Sequence, residues 1–396
     1  MRILPALLLT LALPANAETI SQELARTGLA ATEARLAALA APTDADRFAL
    51  GGVQFLRAIE GSFQERWAMG LTDRLGLLPL LRLPVADNPS PTAFEPAAIV
   101  TLFAHAEARF VAAEITLASL PDTSGFALEI DLDDLWFDVN ANTTRDPGEG
   151  LMNIAGSAVL DRQLTLPELL APAPVIRFDV ADAAWLSAYA HLLTGISQVV
   201  LAYDPTELIT RIMTARATMA QWGPAPRDWL SNGRVPDLFD MVAMIIATLD
   251  QQPDAALLLS ARDHLLACIT ENRRFWALVA METDNAAEWL PNDVQTSGLG
   301  VALPPGIGAA WQGVLADAEA ILLGDKLVPY SRVGDLGGVN LARVFTDPRP
   351  VDVAGWIQGW AALPYLESGT LASQGSWRAF ENLVGGDPML LSIWLN

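Results

Sequence analysis

Residues 138 to 149 read Asp-Val-Asn-Ala-Asn-Thr-Thr-Arg-Asp-Pro-Gly-Glu, a short segment unusually dense in side-chain oxygens. Asp138, Asn140 and Asn142 alternate with small residues, Asp146 follows, and Glu149 closes the run. Hard divalent cations take six to eight oxygen ligands from carboxylates, amide carbonyls and backbone carbonyls. A segment offering such oxygens at every second residue can fold them around one ion. The same composition also makes an ordinary polar turn, because Asp, Asn, Thr, Pro and Gly all favour one.

The spacing resembles the twelve-residue calcium loop of EF-hand and dockerin-like modules. The resemblance implies side-chain ligation by Asp138, Asn140 and Asn142 at positions 1, 3 and 5, and a backbone carbonyl from Thr144 at position 7. It further implies Asp146 at position 9, directly or through water, and a bidentate Glu149 at position 12. It covers this loop and no other part of the chain. Two residues depart from the pattern. Thr143 stands at position 6, where the family uses glycine for a turn with positive φ, and a β-branched residue is strained there. Pro147 at position 10 prevents an exiting helix from starting inside the loop. The implied cofactor is Ca²⁺ in a structural role, with an affinity on the order of 10⁻⁴ to 10⁻³ M, as in extracellular modules.

Other chemistry is sparse. The chain has three histidines. His105 and Glu107 are two residues apart on a helix and project from different faces, and His264 beside Asp263 belongs to no H-x-x-x-H or H-E-x-x-H pattern, so zinc is not expected. His191 lies in a stripe with Ala184, Ala188 and Gly195, which reads as a buried, hydrogen-bonded core histidine ahead of a catalytic base. No G-x-S-x-G elbow and no glycine-rich phosphate loop occurs. Cys268, the sole cysteine, sits in the apolar run Leu265 to Ile269 and reads as a packed thiol without a disulfide partner.

A second polar concentration, from Glu271 to Asp293, has two readings. As a cleft it offers Glu282, Asp284 and Glu288 as paired carboxylates and Trp289 as a sugar platform, although Trp276, Trp289, Trp356 and Trp360 read equally as core or interface anchors. As structure it is a helix end followed by an Asp/Asn-rich loop with ion pairs. The first expectation for function is a non-enzymatic binding or structural protein with a calcium-stabilised loop. The alternative is a carbohydrate-active enzyme.

The 396 residues are 52% hydrophobic and 18% charged, which excludes intrinsic disorder and provides for a real core. Forty-six acidic against 24 basic residues give a net charge of −22, so nucleic acid is not an expected partner. The ligand or protein partner is unknown. Arg2, the apolar Ile3 to Leu13 and Ala15-Asn16-Ala17 read as a signal peptide over 1–17, which predicts a periplasmic or secreted protein. An N-terminal core helix is the alternative, although Pro5 and Pro14 bracket it awkwardly. Past the h-region no segment sustains the uncharged length of a membrane span, so an integral membrane protein is not expected.

The elements that must position these residues are mostly helical, and the expected fold class is mainly α, multi-helical, with a small β element near 126–180. Periodicity predicts helices at about 21–40, 45–69, 96–120, 181–202, 205–221, 237–250, 253–282, 307–323, 351–362 and 375–385. Thr43-Asp44 reads as an N-cap. Phe126 to Asp133 alternates with period two and can pair with Val175 to Val180. This divides the mature chain into an N-terminal helical region (18–121), a β element with the loop (122–180) and a C-terminal helical region (181–396), the two helical regions possibly forming one domain. Residues 223–236, with three prolines, read as a connecting loop.

Overall fold

A computed structural model describes residues 18–71, 79–83, 85–154, 172–223, 235–285, 287–300, 302–385 and 388–395. The expected signal peptide and nearly all of the expected loop over 223–236 lie outside these residues.

The mainly α, multi-helical class holds. Capping chemistry sets several helix starts. Thr19, Thr43 and Asp179 each accept a backbone N–H in a reciprocal capping box, opening α1 (Ile20–Ala37), α2 (Asp44–Met69) and, further along, the helix Val180–Ala202. Between them lies α3 (Ala98–Leu117), so that Val180–Ala202 is α4. Then follow α5 (Thr206–Met219), α6 (Val235–Leu249), α7 (Ala255–Val279) and α8 (Ile307–Leu323). Shorter helices close the chain: α9 (Leu341–Thr346), α10 (Val353–Gln358), α11 (Gly375–Val384) and α12 (Pro388–Leu395). Pro205 caps α5 from outside rather than occupying its first turn.

Helix α3 packs against α2 and α4, and α4 packs most extensively against α7. Helix α4 serves two cores. Ala183, Leu186, Ala190 and Leu193 face the first, shared with α1, α2, α3 and the β element; Ala181 and Ala184 face the second, with Ile269, Phe275, Trp311 and Phe380. The expected regions 18–121 and 122–180 therefore share one core. Among the described residues, α4 is also the one helix long and apolar enough to cross a membrane by composition, and half of it is buried within the protein.

The expected strands form and pair antiparallel: β1 (Leu128–Asp131) with β2 (Val175–Phe178), Leu128 opposite Phe178 and Asp131 opposite Val175. Strand β1 stops at Asp131 because the chain turns into a 3₁₀ turn at Leu132–Asp134, capped by the Asp131 carboxylate. A second sheet, β3 (Val328–Pro329), β4 (Gly337–Val339) and β5 (Leu366–Ser368), was not foreseen, since strands of two or three residues show no alternation. Its central strand needs glycine: a Cβ at Gly337 would lie 2.5 Å from the Glu367 carbonyl.

Helix α1 kinks at Gly28, which has φ +73°. The Trp136 ring fills the space, 2.7 Å from where a Cβ would sit, and its indole N–H donates to the Leu24 carbonyl at 2.9 Å. The polar loop begins two residues later.

Candidate metal centre

The 138–149 loop is closed at its base by backbone pairing. Trp136 and Gly150 form an antiparallel bridge, Phe137 N–H donates to the Glu149 carbonyl at 2.9 Å, and Leu151 N–H donates to the Leu135 carbonyl at 2.8 Å. Helix α2 holds its first residue. Asp138 N–H donates to Glu60 Oε1 and Gln64 Nε2 donates to the Asp138 carbonyl, both at 2.8 Å. Glu60 is buried and ion-paired with Arg57; burial still raises its carboxyl above the ordinary range. Helical backbone resumes only at 151–154, after the loop, as Pro147 requires.

Inside the loop, each expected side-chain ligand is oriented by the loop itself. The two Asp138 oxygens accept the N–H groups of Asn142 and Thr143, both at 2.9 Å. Asn140 Oδ1 accepts the Asn142 N–H at 3.0 Å, and Asn142 Oδ1 accepts the Thr144 N–H at 2.7 Å. Glu149 reaches back across the loop, one oxygen accepting from Val139 N–H at 2.9 Å and the other from Asp146 N–H at 2.7 Å. Asp146 Oδ2 takes the amide N–H groups of Asn140 and Asn142 at 2.7 and 2.8 Å. Arg145 points away to Asp133, at 3.3 Å. Thr143 does adopt the positive φ of position 6, at 62°, and Ala141 has φ 58°.

The donor set suits a hard cation. A carboxylate oxygen or an amide oxygen has two lone pairs, and those of Asp138, Asn140, Asn142 and Glu149 are each held by one N–H. Burial pushes the Glu149 carboxyl up, and the charges of Asp146 and Asp138 add to the shift, against the hydrogen bonds from Asp146 and Val139. A divalent cation offsets that concentration of negative charge.

Several residues of 271–293 are engaged in ion pairs and ring contacts. Arg273 pairs with Glu319, and Arg274 with Glu271 and Asp122. Glu282 and Glu288 converge with Asp179, ligand atoms within 4.8 Å of one another, whereas Asp284 turns to Arg177 at 2.7 Å. Burial raises the Glu282 carboxyl to about 7, and raises that of the adjacent Asp182 well above its ordinary value. Trp289 packs on Phe178 and Trp185. Trp276 contacts Phe275, and Trp356 stacks on Tyr365 with ring centroids 5.8 Å apart. Trp360 is exposed and donates its indole N–H to Asp352.

Two hollows open among the described residues. One of about 450 Å³ lies between α2 and α3, lined by Arg57, Gln64, Glu65, His105 and Arg109, and one of about 210 Å³ adjoins Arg66 and Asn88. Neither is lined by Glu282, Asp284 or Glu288. Cys268 is buried as expected, its thiol pushed up to about 12 by burial.

The histidines divide differently from their sequence spacing. His105 is exposed and pairs with Glu65 at 2.7 Å. His191 and His264, 73 residues apart, meet each other and Glu114. Sequence spacing could not reveal this trio, because each residue comes from a different helix. The available signal was the small-residue stripe through Gly195, where a Cβ would lie 3.1 Å from the Ala261 carbonyl on α7. Comparisons with protein-family models, curated proteins and solved structures found no match to this chain.

Proposed function

We propose that the protein is an exported, non-enzymatic binding or structural protein whose fold is stabilised by Ca²⁺ in the 138–149 loop. The supporting observation is the loop's own hydrogen bonding. Asp138, Asn140, Asn142 and Glu149 each accept backbone N–H groups that orient them, and each keeps oxygen lone pairs for a cation. Asp138, Asn140, Asn142, Asp146, Glu149 and the Thr144 carbonyl would hold the ion. Bound calcium would offset two of the three carboxylate charges and tie the loop to α2 through Asp138 and its partners Glu60 and Gln64.

A carbohydrate-active enzyme finds less support. Glu288 is buried, and neither of the two hollows is lined by Glu282, Asp284 or Glu288. Trp289 is engaged in packing rather than offered as a sugar platform.

Thermal and chemical unfolding in calcium and in chelator tests the proposal. With affinity on the order of 10⁻⁴ to 10⁻³ M, about 10 mM Ca²⁺ stabilises the fold by about 1.4 to 2.7 kcal/mol. The double variant Asp138→Ala, Glu149→Ala loses that response. An undiminished calcium response in the double variant, or none in the parent, rejects the loop as the site.

A further inference from the structure

Helices α3, α4 and α7 bring three metal-ligating side chains to one point. His191 Nδ1 stands 2.9 Å from His264 Nδ1 and 3.2 Å from Glu114 Oε2, and His264 Nδ1 lies 3.6 Å from Glu114 Oε1. We propose that Glu114, His191 and His264 bind one divalent transition-metal ion of the zinc class, at a site separate from the 138–149 loop.

Metal–ligand bonds of about 2.0 to 2.1 Å in tetrahedral geometry place neighbouring ligand atoms about 3.3 Å apart. The two ring nitrogens stand 2.9 Å apart, and each has one of the two Glu114 oxygens near that length, Oε2 at 3.2 Å from His191 and Oε1 at 3.6 Å from His264. Two imidazole nitrogens and one carboxylate are a donor set for borderline ions, not for calcium.

The hydrogen-bond inventory points the same way. Three strong acceptors, two imidazole nitrogens and a carboxylate, crowd one point with few protons to share. The Thr194 hydroxyl donates to Glu114 Oε1 at 2.6 Å, and one imidazole N–H can lie between the two rings. One turn beyond Thr194 on the same face of α4, Gln198 is buried. Its Nε2 donates to Glu107 at 2.8 Å, while its Oε1 is buried with no hydrogen-bond donor. Such an acceptor is costly to leave unmet, and a water bound beside it would supply the donor it lacks. Glu107 adds negative charge beside Glu114 and His264.

The helices are built to hold this arrangement. His191, Thr194, Gly195 and Gln198 lie on one face of α4 at i, i+3, i+4 and i+7. Gly195 lets α7 come close enough for His264 to reach across: a Cβ there would meet His264 Cβ at 3.5 Å. Each histidine side chain keeps 19% of its surface exposed, which leaves an ion a route in.

Having three histidines makes the test direct. Tag-free, metal-stripped protein, held in saturating calcium so that the loop does not compete, is titrated with Zn²⁺ and, separately, with Co²⁺. One equivalent of Zn²⁺ is expected to bind with a dissociation constant below about 1 µM. Co²⁺ should give the visible absorption of a low-coordinate site and hyperfine-shift two of the three imidazoles in the NMR spectrum, with His105 unmoved. Glu114→Gln and His264→Ala should each weaken Zn²⁺ binding by about 100-fold or more, while His105→Ala leaves it unchanged. Hyperfine shifts at His105 alone, no shifted histidine, or an affinity unchanged from the parent in the Glu114 and His264 variants would each overturn the proposal. Should a variant fail to fold, the Co²⁺ spectrum of the parent protein decides alone. A protein that binds Zn²⁺ in this way yet shows no calcium response separates this site from the loop.

Discussion

Thr143 holds a backbone conformation that its side chain opposes, with φ at 62°. The loop imposes it, because only that turn presents the Thr143 N–H to Asp138. Glycine adopts the same φ without strain but leaves the unfolded chain freer. Thr143→Gly is therefore expected to stabilise the protein by about 1 kcal/mol net, read as a higher urea midpoint at unchanged slope. A second residue-scale prediction concerns Glu282, whose carboxyl burial raises from 4.5 to about 7. The folded state then binds the proton more tightly than the unfolded chain. The resulting stability is fully present below about pH 4.5 and is lost as pH rises through about 7. Glu282→Gln keeps an acceptor for Gln295 Nε2 and cannot ionise. After discounting for solvent screening, it should stabilise the fold by about 1 to 2 kcal/mol at pH 8, and the gain should fade toward pH 4.5. A gain equal at both pH values would assign it to packing.

At the scale of elements, α1 and the loop are joined through one indole. Gly28 bends α1 so that Trp136 can lie across it, and Trp136 leads directly into the calcium-type loop. Gly28→Ala places a methyl 2.7 Å from the Trp136 ring and forces an alanine to φ +73°. Overpacking and the left-handed backbone together should cost about 2 to 4 kcal/mol, measured by denaturant unfolding. The calcium response proposed for the loop should weaken in the same variant, since the bridge between Trp136 and Gly150 closes the loop. Helix α4 has the opposite problem, with too many neighbours for large side chains. Ala181, Ala183, Ala184, Ala188 and Ala190 are all nearly inaccessible. That explains why a composition able to cross a membrane here makes a core helix.

Across the whole molecule, the chain end is tied to its centre. Asn272 on α7 is fully buried and donates to the Leu395 carbonyl at 2.7 Å, fixing α12 against the second core. Asn272→Ala leaves that carbonyl without this donor and should cost about 2 kcal/mol. Amide hydrogen exchange would register the loss first in 388–395, ahead of α4 and α7. Uniform acceleration across the chain would mean that the tie is not local.

Much of this architecture was legible in the sequence. Thr43, the Leu128 to Asp131 alternation and the 307–323 periodicity report local chemistry, caps and burial patterns that neighbouring residues carry among themselves. The oxygen spacing of 138–149 is equally local, and there the loop's hydrogen bonds turn on residues within a dozen positions of one another. The strands of two and three residues gave no signal, because they are too short to alternate and the β4 glycines answer to partners across the sheet. The meeting of Glu114, His191 and His264 gave none either, since it depends on how three helices approach. The sequence by itself determined the longer helical segments, their apolar faces and where side-chain oxygens cluster, and left the short helices Leu341–Thr346 and Pro388–Leu395 unmarked. Only the tertiary structure decided which distant polar side chains share one buried point, because helix packing, set by small residues such as Gly195, brings together groups that chain spacing cannot relate.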